Sequence, residues 1–397
     1  MRIGVIEVCV PNHYGAVNAW IKTYATDQAN HIYVFTIDEI ANQLKQNQSS
    51  EEHYTQVSVI SMAPGDTIES FLKHISTYRL DRIHINTLSR YYKAFAGIEW
   101  NAAVYFSIHN VELWYDNGLA NRFGIYWYRI RWYTIKKAWK GIFESSVLFG
   151  KEMVRQQWRD QFIRSLSKTD FRIVVYSESQ RRYLEQYVSP EKVIVFTFAI
   201  YEGIADHSRS NTKVRVCIPG TVSSYRRDYN SFFTVLKSNS ALLKDKIVVD
   251  LLGFIPQDEQ SIIVQIEELI DQGFEVLYYP AFIQANDYDA LLSKADIILG
   301  NIRTQLNPYQ KYGYTKETGT LYNMIRAAKP GIMPASYPLE PGFDESCIVF
   351  HAYDELTGIL LKLATDPSIL TQLKKKASEI SFRYSPQQLY LFLCPQI

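Results

Sequence analysis

Residues 314–334 read YTKETGTLYNMIRAAKPGIMP: a turn of small polar residues, a short amphipathic helical pattern, then Lys329-Pro330-Gly331 and a new apolar run. A helix starting at Glu317-Thr318-Gly319-Thr320 offers unpaired backbone N–H groups and the positive end of its dipole to an anion. Gly319 carries no side chain to hold a phosphate off the backbone, and Thr318 and Thr320 add hydroxyl donors. The turn is therefore expected to bind phosphate, and a βαβ setting is expected around it.

That setting extends through most of the chain, where short β-rich apolar runs alternate with helical patterns, as parallel βαβ units require. Strands are expected at Ile3–Val10, His31–Thr36, Val57–Ser61, Arg82–Ile85, Ala103–Ile108, Ile173–Ser177 and Val193–Phe198. After a polar, helix-poor stretch, Tyr201–Lys213, the alternation restarts with strands at Val214–Ile218, Ile247–Leu252, Glu275–Tyr279, Ile297–Gly300, Gly331–Pro334 and Ile348–Phe350. Helices are expected from Asn230, near Ser261–Gln272 and near Tyr288–Lys294. A length of 397 residues suits two cores. The expected division is 1–205, 206–380 and a C-terminal segment, 381–397, that crosses back to the first domain.

Lys and Arg number 42 against 41 Asp and Glu, a net charge of +1, so bulk attraction to nucleic acid is not indicated. Cys9, Cys217, Cys347 and Cys394 are scattered, without CxxC pairs or neighbouring histidines at metal-ligand spacing, and a reduced, cytoplasmic setting is expected. The N-terminal MRIGVIEVCV is interrupted by Glu7 and reads as a strand rather than a signal peptide. No apolar window reaches the ~18 residues of a transmembrane helix, so a soluble or membrane-peripheral protein is expected.

One region departs from the alternation. From Trp114 to Ser167 (about 114–167) aromatic residues are interleaved with Arg129, Arg131, Lys136, Lys137 and Lys140. Rings with cations suit a membrane interface, through 123–140, at the inner face of the membrane. A helical insertion packing its rings on the first domain is the alternative.

Four pieces of the second half, VCIPGTVSSYRRDY, VVDLLGF, YYPAFIQANDYDALLSKADIILGNI and KETGTLYNMIRAAKPGIMP, occur in an order and spacing that resemble the donor domain of GT-B glycosyltransferases. The resemblance is to the retaining family that builds bacterial polysaccharides and glycolipids (glycosyltransferase family 4-like). It implies an α/β fold of two facing Rossmann-like domains with a cleft between them, and transfer of a sugar, hexosyltransferase-like, from a nucleotide diphosphate sugar to a glycan or lipid-linked acceptor. It implies that Gly220, Thr221, Arg226 and Arg227 face the donor diphosphate, with Arg227 ahead of Arg226, and that Lys316, Thr318, Gly319, Thr320 and Leu321 hold the diphosphate and ribose. Glu317 matches the first of two family glutamates and is a candidate catalytic residue, although a plain acid in the first helical turn would satisfy the dipole equally. Ile325 stands where the second glutamate is expected.

In the first domain, YFSIHNVELW places His109 where the family has a histidine against the donor sugar, and PNHYGAVN places Gly15 beside donor and acceptor, with His13 and Asn18 as weaker candidates. Asp287-Tyr288-Asp289 spells DxD, but ahead of a helical pattern an aspartate is expected to cap the helix. Helix dipole and cations neutralise the leaving group in this resemblance, so no metal and no other cofactor is expected. Two further readings remain open: a catalytically silent scaffold in polysaccharide assembly, and a nucleotide-sugar epimerase of the same fold.

Overall fold

The apolar runs at the centre of each sheet are buried on both faces, the condition for parallel sheets covered by helices on each side. The computed structural model describes residues 1–48, 55–115, 138–203 and 213–395. The chain divides into two units, Met1–Phe198 with Leu393–Ile397, and Ala199–Phe392.

The first unit carries β1 (Arg2–Glu7), β2 (His31–Thr36), β3 (Val57–Ser61), β4 (Arg82–Ile85), β5 (Ala103–Ser107), β6 (Phe171–Val175) and β7 (Val193–Val195). They form one sheet in the order β3-β2-β1-β4-β5-β6-β7, parallel throughout. One apolar cluster joins Ile6, Phe35, Phe71, Ile85, Phe106 and Phe162. Elsewhere in the unit Trp20 stacks on Phe196, with ring centroids 3.7 Å apart, and lies against His84. Burial holds the His84 imidazole well below its usual range, and Tyr24 meets its Nε2 at 2.8 Å. Arg82 donates to the Tyr24 hydroxyl (2.8 Å) and to the Leu393 carbonyl (3.3 Å), which ties the last described residues to this unit.

The second unit carries β8 (Val214–Pro219), β9 (Ile247–Phe254), β10 (Glu275–Tyr279), β11 (Ile297–Leu299), β12 (Gln305–Asn307), β13 (Gln310–Lys311), β14 (Gly331–Pro334) and β15 (Cys347–Phe350). Its main sheet runs β10-β9-β8-β11-β14-β15, again parallel. Strands β12 and β13 make a separate antiparallel hairpin that the sequence reading missed, because these short polar segments carry no apolar period.

Several boundaries move for identifiable reasons. β1 stops at Glu7 rather than at Val10, because the Glu7 carboxylate takes the N–H groups of Cys9 (2.9 Å) and Val10 (3.1 Å) away from the ladder. The helix expected from Glu317 begins at Gly319, since Thr318 is its N-cap and accepts from Thr320 N–H at 3.2 Å. Glu317 thus lies outside the first helical turn and is not a dipole-complementing acid. Asp287 is not a cap either: its helix is Ala285–Ser293, with Gln284 at the N-cap making no side-chain cap bond. Of the aromatic and basic segment, residues 116–137, with Arg129, Arg131, Lys136 and Lys137, lie outside the described residues; a helix, Ala138–Leu166, follows. Among the described residues no helix is long and apolar enough to cross a membrane.

Both sheets reverse their winding once, between β1 and β4 in the first unit and between β8 and β11 in the second. Loops leaving adjacent parallel strands in opposite directions open a crevice at the carboxyl ends, which is where such sheets take ligands.

The β8 loop depends on a close backbone approach. Gly220 has φ +94° and its N–H donates to the Leu252 carbonyl at 2.8 Å, while a Cβ at Gly253 would run into the Gly220 carbonyl. Gly253→Ala is expected to cost about 1–3 kcal/mol by overpacking; urea denaturation checks it, and an unchanged midpoint would show that the loop relaxes freely. Arg215 on β8 pairs with fully buried Asp250 on β9, Nη2 to Oδ2 at 2.6 Å. Burial pushes the Asp250 carboxyl up and Arg215 opposes it. A buried carboxyl with a raised folded-state value is penalised as pH rises above the ordinary carboxylate range and carries no penalty below it. Arg215→Met is therefore expected to cost about 3 kcal/mol at neutral pH, and less in acid, as denaturation at pH 7 and pH 4 reads directly.

Candidate functional site

In the second unit, β8 delivers Gly220 and Thr221, both half-buried, and its loop then returns Arg226 and Arg227. The two arginines diverge. Arg226 is exposed, whereas Arg227 is buried, bridges Ile302 just past β11, and donates from Nη2 to the Pro219 carbonyl. Its Nη1 has no hydrogen-bond partner among the described residues. A solvated basic turn does not describe this side chain, because a guanidinium withdrawn from water with an unmatched donor is costly unless an anion meets it.

Across the reversal point, Asn301 follows β11 and is fully buried; its Oδ1 accepts from the Tyr353 hydroxyl at 2.6 Å, and its Nδ2 finds no partner among the described residues. The sequence reading passed over Asn301, although its place directly after a predicted strand, in ILGN, was a usable signal. Lys316 is half-buried, two residues before the N-cap of the helix Gly319–Ala327. Thr318 is committed to capping, while Thr320 is fully buried with its Oγ1 unpartnered among the described residues. Gly319 is exposed, with nothing within 4 Å of where a Cβ would stand. This helix packs on β8. Burial pushes the Tyr312 hydroxyl up, with Arg226 and Arg227 opposing and Glu317 adding to the rise, so the arginines and the turn share one electrostatic neighbourhood.

Glu317 and Leu321 take different places from the other candidates. Glu317 Oε1 accepts from the Tyr337 hydroxyl (2.6 Å) and from Thr318 N–H (2.7 Å), which pins the turn ahead of the cap. Burial and that carboxylate together hold the Tyr337 hydroxyl well above its usual range. Leu321 belongs to an apolar cluster with Met324 and Ile325, so only its backbone faces the turn. Ile325 sits in that core at 1% exposure, and no acid is available there for a ribose. Asp287 is exposed and Asp289 pairs with Arg326.

The first unit gathers a second polar group at its own reversal point. Glu7, fully buried at the end of β1, accepts from Cys9 and Val10 N–H on Oε1 and from Asn86 Nδ2 on Oε2 at 2.6 Å. His13, the residue before the helix Tyr14–Ala25, places Nδ1 2.6 Å from Thr87 Oγ1 and 3.4 Å from Glu7 Oε2. His109, two residues past β5, brings Nε2 to 3.1 Å from the same hydroxyl and 3.3 Å from the Asn86 carbonyl; its ring lies 4.9 Å from that of His13. Gly15 is exposed in the first turn of that helix, with open space around it. Of the sequence candidates, His109 and Gly15 thus fall near His13, and Glu7, Asn86 and Thr87 are additions that only the fold reveals.

The sequence matches no protein-family model and no curated protein sequence. Its fold is similar to that of solved glycosyltransferases. The Anabaena HepE structure in complex with UDP and glucose aligns with a TM-score of 0.58 at 12% identity, covering 99% of this chain and 98% of that one. A glycosyltransferase from Rickettsia africae aligns with a TM-score of 0.61 at 10% identity, covering 100% and 99%, and TarM with 0.60 at 12%, covering 99% and 98%. Two parallel-sheet Rossmann-like units, seven-stranded and six-stranded, give this chain the GT-B fold.

Proposed function

We propose that this chain is a glycosyltransferase, moving a sugar from a nucleotide diphosphate sugar to a hydroxyl of a glycan or lipid-linked acceptor. The observation that carries the reading is a set of three buried donors at the β8/β11 reversal point and the adjoining helix start: Arg227 Nη1, Asn301 Nδ2 and Thr320 Oγ1, each without a partner among the described residues. Buried donors that lack acceptors favour a ligand with several acceptor oxygens, and a diphosphate is such a ligand. The helix start at Gly319 adds backbone N–H groups and the positive dipole end.

The same groups supply the chemistry. As the bond from the anomeric carbon to the diphosphate breaks, negative charge builds on the leaving oxygen. Arg227 and the helix terminus are fixed before the charge appears, so little reorganisation is needed when it does, and Lys316 adds a second positive charge. Arg227, held by the Pro219 carbonyl, keeps its fork oriented toward the loop. The likeness to HepE, crystallised with UDP and glucose, supports a nucleotide-sugar donor. The resemblance to polysaccharide and glycolipid enzymes supplies the acceptor class. Attachment to a membrane surface through 123–140 belongs to the same proposal. The retaining label rests on paired acids, of which this chain keeps Glu317 alone, so it does not carry over to the stereochemical course.

The loss of the second acid also favours one rival, a silent scaffold of the same fold. A thermal-shift series with UDP, GDP, CDP and ADP separates the two, because a ligand at 100 times its Kd stabilises the folded state by about 2.7 kcal/mol. A shift with one nucleotide is expected; none with any of them supports the scaffold. Arg227→Met combined with Lys316→Ala is expected to remove the shift and donor turnover while leaving a cooperative unfolding transition, and full activity in that variant would refute the assignment. Gly319→Val adds a side chain in open space, so stability is expected to stay within about 0.5 kcal/mol. Nucleotide binding should weaken about tenfold, a loss of about 1.4 kcal/mol that titration calorimetry measures.

A further inference from the structure

Within the second unit, Asn301 and Tyr353 both follow strands at the carboxyl edge of the main sheet, Asn301 after β11 and Tyr353 after β15. Asn301 is fully buried, and its backbone is tied on both sides. The Gly300 N–H donates to the Ile332 carbonyl at 2.8 Å, and the Asn301 carbonyl accepts from Asp228 N–H at 3.3 Å. Tyr353 is held as well: its ring meets that of Phe350 edge-on, with centroids 5.4 Å apart, and its carbonyl accepts from Leu356 N–H at 3.1 Å where the helix Glu355–Thr365 begins. Two fixed residues from different strands are thus brought together at one side-chain contact, and the way the Asn301 amide is turned depends on it.

The length of that contact says which end of the amide Tyr353 holds. Its hydroxyl lies 2.6 Å from Asn301 Oδ1, inside the range of an O–H···O bond and short of the range of an N–H···O bond. Tyr353 is therefore the donor and Oδ1 the acceptor. Burial raises the Tyr353 hydroxyl above its usual range, with Asp228 adding to the rise and Arg303 and Arg227 opposing it, so the proton it donates stays in place at neutral pH. The amide's other end, Nδ2, is the one left with a bond to make. The same electrostatic neighbourhood holds Arg227, whose Nη1 is also unmatched among the described residues. A turned-over amide would put Oδ1 where Nδ2 now stands and set its lone pairs against those of any bound oxyanion.

We propose that Tyr353 is a positioning residue of the diphosphate site: its hydroxyl takes up Asn301 Oδ1 and thereby presents Nδ2 to a phosphate oxygen of the donor. The proposal rests on the sugar-transfer reading and adds to it a residue that acts through Asn301. It also accounts for an amide at this position. An amide offers the phosphate an N–H without a formal charge, whereas a carboxylate of the same shape would take the Tyr353 proton on one oxygen and turn a second, negative oxygen toward the ligand. Without the Tyr353 hydroxyl, Oδ1 is buried and unmatched, and nothing selects the orientation that donates.

The test uses the full chain and whichever of UDP, GDP, CDP and ADP gives the largest thermal shift. Calorimetry with that diphosphate, and NMR titration with its parent nucleoside (uridine, guanosine, cytidine or adenosine), compare the wild type with Tyr353→Phe, Asn301→Ala and the double variant. Each single substitution is expected to weaken the diphosphate about tenfold. The double variant is expected to lose about the same tenfold, because the hydroxyl acts only through the amide. Nucleoside affinity, which involves no phosphate, is expected to stay unchanged in all three. In the wild type itself, the Asn301 side-chain NH2 signals, identified by their loss in Asn301→Ala, are expected to move when the diphosphate is added. Wild-type diphosphate affinity in Tyr353→Phe, single losses that multiply to about 100-fold in the double variant, a nucleoside weakened as much as its diphosphate, or Asn301 signals that stay still would each overturn the role of Tyr353 and leave sugar transfer standing. A wild type that binds none of the four diphosphates removes the transfer reading and this role together.

Discussion

Parallel strand pairing is the constraint on which the rest of this protein depends. Because every pair in both main sheets is parallel, each strand returns through a helix on a face of its sheet, and all carboxyl ends within a unit lie along one edge. The single reversal of winding in each sheet then selects one pair of neighbours whose loops part. Glu7 and His13 against Asn86 and Thr87, and Gly220 and Arg227 against Asn301, follow from that selection. The residues are distant in sequence, and the sheet order makes them neighbours.

The two polar groups answer burial in opposite ways. Glu7 is a fully buried carboxylate whose oxygens are met by two backbone N–H groups and an amide, so its charge is spent on holding a loop and an imidazole. Arg227, Asn301 and Thr320 are buried donors with a bond left to make. Polar groups withdrawn from water are normally matched. Unmatched donors in one unit are therefore the groups on which the proposed donor site rests.

Much of the architecture was legible from residue order. The strands from His31 to Thr36 and Gly331 to Pro334 fall where the apolar runs placed them, because a strand inside the sheet is covered by helices and has to be largely apolar; the half-buried edge strands Val57 to Ser61 and Glu275 to Tyr279 fall at their expected bounds through their β-branched and aromatic residues. The turn ahead of the helix Gly319–Ala327 was legible through Gly319 and its flanking threonines. What misled were residues whose chemistry is ambiguous until their partners are known. Glu7 read as a break in an apolar strand, although it anchors the loop that follows. Arg226 and Arg227 are chemically identical in sequence, yet one is exposed and the other buried. Glu317 read as a dipole acid or a catalytic one, and its carboxylate also meets Tyr337, twenty residues on.

The sequence by itself determined the two-unit α/β plan and the turn at 316–321, since each is written in local pattern and residue type. Tertiary structure decided which polar residues matter: that Arg227 rather than Arg226 is withdrawn from water, that Asn301 stands beside it, and that His13 rests on Glu7 and Thr87. The physical reason is that periodicity and propensity act over a few residues and survive in a one-dimensional reading. Burial and hydrogen-bond partnership depend on which strands pair, and the order in which a sheet winds is not recorded at any one of its strands.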